Sequence, residues 1–404
     1  MTTMYALPRR RIAAFLLIIL LTAGCREEVS PPFDQQLYVW QRQWLPAHAE
    51  ALVRSYPDFS TLRVLALQAH PDAGWSRVRV DRALLRRDGR PLVAVVRLDG
   101  RLAQLDALRA RKEITALLAE WKAADLEPQA LEIDHDCASA RLPDYARFLG
   151  ELRQALPAGL SLGITALPTW LSSPELDRLL AKVDGSVLQV HGVSAPEQGL
   201  FDAGKAFDWA QRWNERSDRP FFLALPAYGT SLIDSPAGTR VESEAPLGLA
   251  GERRELSADP RQVAGLLEKL RRDRPPHLAG LIWFRLPLTG DRRAWPYATL
   301  RAVARGERLA ADLQVSVGRP DGGTLHEFTL SNSGNVAIPL PSRVDIAARD
   351  CQAFDALPGY RMQRSDTGLA LERQAIAGLA AGQRRALGWA RCSELDQGGI
   401  HVRP

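Results

Sequence analysis

Between Leu37 and Arg305, short apolar runs alternate with stretches in which apolar residues recur every three to four positions. The runs are Leu37–Trp40, Leu62–Leu67, Leu92–Leu98, Ala130–Asp134, Leu160–Thr165, Ser186–Val190, Phe221–Leu225 and Gly280–Phe284. Between them, Leu102–Lys122, Pro143–Leu156, Ser173–Lys182, Ala203–Arg216 and Pro260–Arg271 carry the helical period. Strands alternating with helices form βα units and a parallel sheet. Eight units over residues 37–306 predict an α/β fold, a (β/α)8 TIM-like barrel, rather than an open doubly wound sheet. No glycine-rich phosphate loop follows the first strand. The stretch Tyr228–Asp259 is rich in Gly, Pro and Ser and reads as an inserted loop or hairpin over the barrel mouth. After Gly306 the period drops to two in Asp312–Val317, Leu325–Ser331, Ser342–Ala348 and Gln383–Ala390, which predicts a small all-β sandwich over 307–404.

Composition adds limits. A chain of 404 residues fits one large domain and one smaller one. The net charge is +5, carried almost wholly by evenly spread arginines. Nucleic-acid binding would cluster them on one element, so no nucleic-acid partner is expected. At the N-terminus, Arg9-Arg10-Arg11 precedes the apolar run Ile12–Leu21, too short to span a bilayer and typical of an export signal. The ending Leu21-Thr22-Ala23-Gly24-Cys25 resembles the lipobox of bacterial lipoproteins. That resemblance implies a signal peptide over 1–24, a lipidated (palmitate-bearing) Cys25, a linker over 25–36 and a membrane anchor. It departs from the usual pattern in having Leu21 four positions before the cysteine and Thr22 at the expected place. Arg26 in place of aspartate implies the outer membrane, facing the periplasm. A conventional signal peptide with a coincidental cysteine is the alternative.

Export favours disulfides. Cys351 and Cys392 share the C-terminal segment and are expected to pair, leaving Cys137 as a free thiol or, with only His135 nearby to activate it, a nucleophile.

The chemistry of such a barrel sits where strands lead into helices. Those ends carry Trp40 and Arg42, Gln68 and His70, Arg97 and Asp99, Asp134 and Asp136, Thr165 and Trp170, Gln189 and His191, Tyr228, and Trp283 and Arg285. Within Leu131-Glu132-Ile133-Asp134-His135-Asp136, the three carboxylates alternate and therefore share one face of a strand. Like charges on a buried strand need partners, and Arg97, one strand away, is the candidate. Aromatic rings beside carboxylates and amide or imidazole groups make a sugar site. Trp40, Trp170 and Trp283 are the expected platforms, with Arg97, Gln189, His191 and Arg285 as further ligand contacts. His70, His191 and Asp136 lack the close spacing of metal ligands, so neither metal nor cofactor is expected.

The segments Leu131–Asp136, Leu162–Trp170 and Gly280–Arg285 resemble a family of bacterial exported proteins called domain of unknown function 3142, which implies no activity. More distantly, the barrel is similar to the chitinase-type glycoside hydrolases. Their fourth strand carries alternate aspartates ending in a catalytic glutamate, and their eighth a tryptophan under the sugar, matched by Trp283. In one register that glutamate falls on Ala138 and is missing; in the other Asp136 replaces it, with Asp134 and Glu132 behind.

Two functions follow. The first is a glycoside hydrolase acting on a cell-envelope or extracellular polysaccharide. Asp136 is its acid, kept protonated by Asp134, and Tyr228 is a donor to an acetamido group. Same-face carboxylates roughly 6.5–7 Å apart along the backbone leave retention or inversion open. The second is a carbohydrate-binding or envelope-organising lipoprotein without catalysis. A hydrolase of another bond using Cys137 or a serine lacks a nucleophile motif.

Overall fold

The computed structural model describes residues 32–102, 104–191, 199–235, 238–242, 251–320 and 322–403. The leader 1–24 and Cys25 lie outside them. In chain order the first strands are β1 (Asp34–Val39), β2 (Thr61–His70), the short β3 (Gly74–Arg77), β4 (Leu92–Leu98), β5 (Ala130–His135), β6 (Ser161–Ala166), β7 (Gly185–Gln189) and β8 (Phe221–Pro226). Next come β9 (Gly229–Ser235), β10 (Gly238–Glu242), β11 (Glu252–Ser257) and β12 (Leu278–Phe284). The parallel order β1-β12-β8-β7-β6-β5-β4-β2 is closed by the β1–β2 pairing, giving an eight-stranded barrel with β3 as a hairpin on β2. β1 begins at Asp34, inside the expected linker.

Helices fill the connections: α1 (Ala47–Ser55), α2 (Arg82–Asp88), α3 (Ala107–Lys122), α4 (Leu142–Ala155), α5 (Leu176–Leu180), α6 (Ala203–Arg216), α7 (Pro260–Arg272) and α8 (Tyr297–Arg305). Four begin on an aspartate whose carboxylate accepts a backbone N–H of the first turn: Asp81 from Leu84, Asp106 from Arg109, Asp202 from Lys205 and Asp259 from Arg261. Each such cap fixes where the chain leaves its loop and stabilises the helix by about 1 kcal/mol. α2 and α8 stop at Gly89 and Gly306, both in the left-handed region that glycine adopts without a Cβ clash.

The barrel interior is apolar around Leu65, Val95, Val187, Ala224 and Ile282, but one level is charged. Glu132 on β5 is buried and accepts from Tyr38 Oη on β1 at 2.5 Å and Thr165 Oγ1 on β6 at 2.6 Å. Its other oxygen is ion-paired with Arg63 on β2, whose Nε donates to Gln36 Oε1 at 2.8 Å. The Arg63 guanidinium lies 5.1 Å from the Phe222 ring centroid.

The inserted segment forms an antiparallel sheet, β10-β9-β11. Both its feet are stapled to the loop after β12. Gly229 donates its N–H to the Arg293 carbonyl, Trp295 Nε1 donates to the Ala258 carbonyl at 2.9 Å, and Tyr228 bridges Ala294. Buried Glu242 pairs with Arg253 at 2.9 Å and with Arg293.

The C-terminal strands are β13 (Leu313–Gly318), β14 (Leu325–Asn332), β15 (Ile338–Pro339), β16 (Arg343–Ala356), β17 (Tyr360–Ser365), β18 (Gly368–Arg373), β19 (Gly378–Leu379) and β20 (Arg384–Arg403). Six form one antiparallel sheet in the order β13-β14-β20-β16-β18-β17, and β15 pairs with β19. Phe328, Leu330, Val344, Ile346, Leu371 and Leu387 make its core. Cys351 and Cys392, opposite one another on β16 and β20, form a disulfide.

Removing one member of the interior pair leaves the other as an uncompensated buried charge. Glu132→Leu should therefore lower stability by about 3–5 kcal/mol, and Arg63→Met/Glu132→Leu should recover most of that loss. Urea unfolding of both variants checks this; an equal loss in the double variant would show that packing, not charge, dominates at this level.

Candidate active site

Above the charged level the strand ends open into a cavity of about 930 Å³. β5 supplies its floor. Because successive side chains alternate, Asp134 and Asp136 rise from the same face as Glu132. β4 runs beside β5 with Arg97 opposite Asp134. Arg97 donates to Asp134 Oδ2 at 2.9 Å and to Asp136 Oδ2 at 3.1 Å. It also lies 5.8 Å from the Trp40 ring centroid, within cation–π range. Gly100 lets the loop after β4 pass the β5 backbone: a Cβ there would lie 2.1 Å from the Asp136 carbonyl oxygen.

The two aspartates differ in setting. The Asp134 side chain is 4% exposed and that of Asp136 31%. Burial pushes the Asp134 carboxyl up to about 7; the Arg97 charge opposes that rise, and the Asp136 and Glu132 charges add to it. Among the described residues nothing bonds to Asp134 Oδ1. The sequence reading assigned the retained proton to Asp136; of the two, Asp134 is the more deeply buried, and burial favours its protonated form.

An aromatic belt forms the opposite wall. The Phe284 ring centroid lies 5.2 Å from Trp40, 5.3 Å from Tyr228 and 5.6 Å from His191. Tyr228 Oη and His191 Nδ1 are 3.4 Å apart. Burial lowers His191 to about 3, leaving it neutral, and raises Tyr228 to about 12. Gln189 and Thr165 also line the cavity, and Gln189 Nε2 donates to the His191 carbonyl at 3.1 Å. On the β2 and β4 side, Arg42 donates to Gln68, and His70, Asp99 and Arg101 are joined by short contacts.

The structure therefore brings Trp40, Arg97, Asp134, Asp136, Gln189, His191 and Tyr228 to one cavity. Three expected contacts lie elsewhere. Trp283 is fully buried on the outward face of β12, donating to Gln35 Oε1 at 2.6 Å with its ring 6.3 Å from Trp295. Trp170 is fully buried and donates to the Cys137 carbonyl at 2.9 Å. Arg285 is buried against Asp291 at 2.9 Å. Cys137 is a buried free thiol pushed up to about 12 by burial, the opposite of an activated nucleophile. His135 turns away from the cavity, with Nδ1 3.0 Å from the Leu98 carbonyl. Several lining residues escaped the sequence reading, among them Tyr38, Arg101, Trp209 and Phe284. Phe284 was signalled by its period-two offset from inward Ile282, whereas Trp209 comes from α6 and has no strand-end signal.

A family model described as Domain of unknown function (DUF3142) matches residues 88–289, half of the chain. A second, Domain of unknown function (DUF8456), matches residues 315–393. No curated protein matches the sequence. Among solved structures, the spore cortex-lytic enzyme SleL of Bacillus cereus is 14% identical with a TM-score of 0.51, covering 68% of this chain and 74% of its own. SleL of Bacillus megaterium QM B1551 is 11% identical, with a TM-score of 0.50 and coverage of 68% and 74%. A chitinase from Bacteroides thetaiotaomicron is 15% identical, with a TM-score of 0.50 and coverage of 68% and 96%. The likeness is one of fold: a (β/α)8 barrel.

The raised Asp134 fixes a pH dependence. From about pH 4, where an unfolded aspartate releases its proton, to about 7, where the folded one does, only the folded state binds it. Stability contributed by Asp134 is thus full at the acid end and lost as pH rises through about 7. Asp134→Asn should be progressively stabilised relative to the parent across that window. Melting temperatures of both proteins between pH 4.5 and 8 check it, and a pH-independent difference would refute it.

Proposed function

The chain belongs to the DUF3142 family, and we propose that it is an exported lipoprotein whose barrel hydrolyses a glycan of the cell envelope or extracellular matrix. The observation that carries this reading is the aspartate pair: a carboxyl holding its proton into the neutral range beside a second carboxyl open to the cavity. Asp136 reaches the ligand, and Asp134 is the proton store behind it. A proton passes from the pair to the glycosidic oxygen as the bond from that oxygen to the anomeric carbon breaks. Water adds at that carbon and returns a proton to the pair. The rings of Trp40, Phe284 and Tyr228 offer apolar faces to sugar rings, and Gln189 and Thr165 offer hydrogen bonds to hydroxyls. Tyr228, which lines the same cavity, is in this reading the donor to an acetamido oxygen. The cortex-lytic enzymes and the chitinase among the fold neighbours agree with a glycan ligand.

The N-terminal segment supports the address: a signal peptide over 1–24 and a lipid on Cys25, with the protein held at the outer membrane and facing the periplasm.

Arg97 favours a second reading. Its two bonds occupy both carboxylates, an arrangement that suits recognition without turnover. Asp136→Asn separates the two. For a hydrolase, product release from envelope polysaccharides should fall at least about 100-fold while ligand affinity changes little. Binding by the parent protein with no products from any glycan would establish recognition alone.

A further inference from the structure

The cavity is electrically lopsided. The ends of β1, β2 and β4 give it Arg42, His70, Arg97 and Arg101. The wall from β6 round to β12, including Trp209, Tyr228 and Phe284, contributes no Asp, Glu, Lys or Arg among its described lining residues. Three arginines face three aspartates, Asp99, Asp134 and Asp136, and the buried Asp134 carries its proton into the neutral range. A ligand of neutral sugars needs no such wall: rings and hydroxyl partners suffice, and the far side supplies them.

Taking the glycan reading as its basis, we propose that the glycan is acidic, carrying a sugar carboxylate that Arg97 and Arg101 receive. Both guanidiniums are held in place by aspartates already present, Arg97 by Asp134 and Asp136, and Arg101 by Asp99 at 3.1 Å. The Arg97 side chain is 31% exposed and that of Arg101 68%, so each presents further N–H donors to the cavity. A planar guanidinium matches a carboxylate with two parallel hydrogen bonds, which a hydroxyl cannot reproduce. A carboxylate that draws Arg97 toward itself also loosens the Arg97 bond to Asp136, freeing that carboxyl to face the glycosidic oxygen. The sugar ring meanwhile stacks on the uncharged wall.

The test is binding calorimetry on the mature protein with glucuronate-, galacturonate- and muramate-containing tetrasaccharides, each beside its methyl ester, and with an N-acetylglucosamine tetramer. The free acid of at least one pair should bind about tenfold tighter than its ester, and the preference should shrink as salt rises. Arg101→Gln, at an exposed position, should remove most of that preference and leave the ester's affinity within about twofold; Arg97→Gln should remove the preference as well. Acid and ester binding equally in every pair would overturn the inference while leaving the glycan reading intact. So would an Arg101→Gln variant that weakens both forms alike. If none of the probes binds, acidic or neutral, the glycan reading falls and takes this inference with it.

Discussion

The ion pair between Glu132 and Arg63 governs how the barrel is built. Two opposite charges inside a parallel barrel are tolerated only when their remaining hydrogen-bonding capacity is filled, and Tyr38, Thr165 and Gln36 fill it from the strands on either side. Four of the eight strands are thereby held in one register at one level. Everything higher inherits that register. Asp134 and Asp136 stand on the same face of β5 because Glu132 does, and the Glu132 charge helps to keep the Asp134 proton in place. The polar floor of the barrel and the acid at its mouth form one electrostatic column.

Much of this was legible in the sequence because it rests on periodicity. Apolar runs spaced by helical patterns gave the barrel, and alternation within Leu131–Asp136 gave the carboxylate ladder. What escaped depends on parity and partners. Trp283 sits one residue from the inward Ile282, so alternation sends it outward, yet an aromatic at a strand end read as a platform. Trp170 and Arg285 looked available because their partners, the Cys137 carbonyl and Asp291, are contacts that only the fold supplies. Trp209 reaches the mouth from a helix, where no strand-end rule applies. The far half of β20, Ser393–Arg403, has few apolar residues to mark it and is held as a strand by its pairing with β16.

Arg97 is where the two functional readings meet. A guanidinium bridging two carboxylates stabilises the resting site, and the same fork is the natural receptor for a carboxylate brought by the ligand. Whether the aspartates act as an acid unit or as ballast for that arginine depends on which partner Arg97 holds when the cavity is filled.

The insertion over the mouth has a consequence for traffic. Its two feet, at Tyr228–Gly229 and Ala258, are bonded to the same short stretch, Arg293–Trp295, and Glu242 clamps the sheet to that stretch again. It is an eave bonded into the wall at both feet. For the glycan proposed above, the space beneath that eave would screen chains by girth and branching before any chemistry begins.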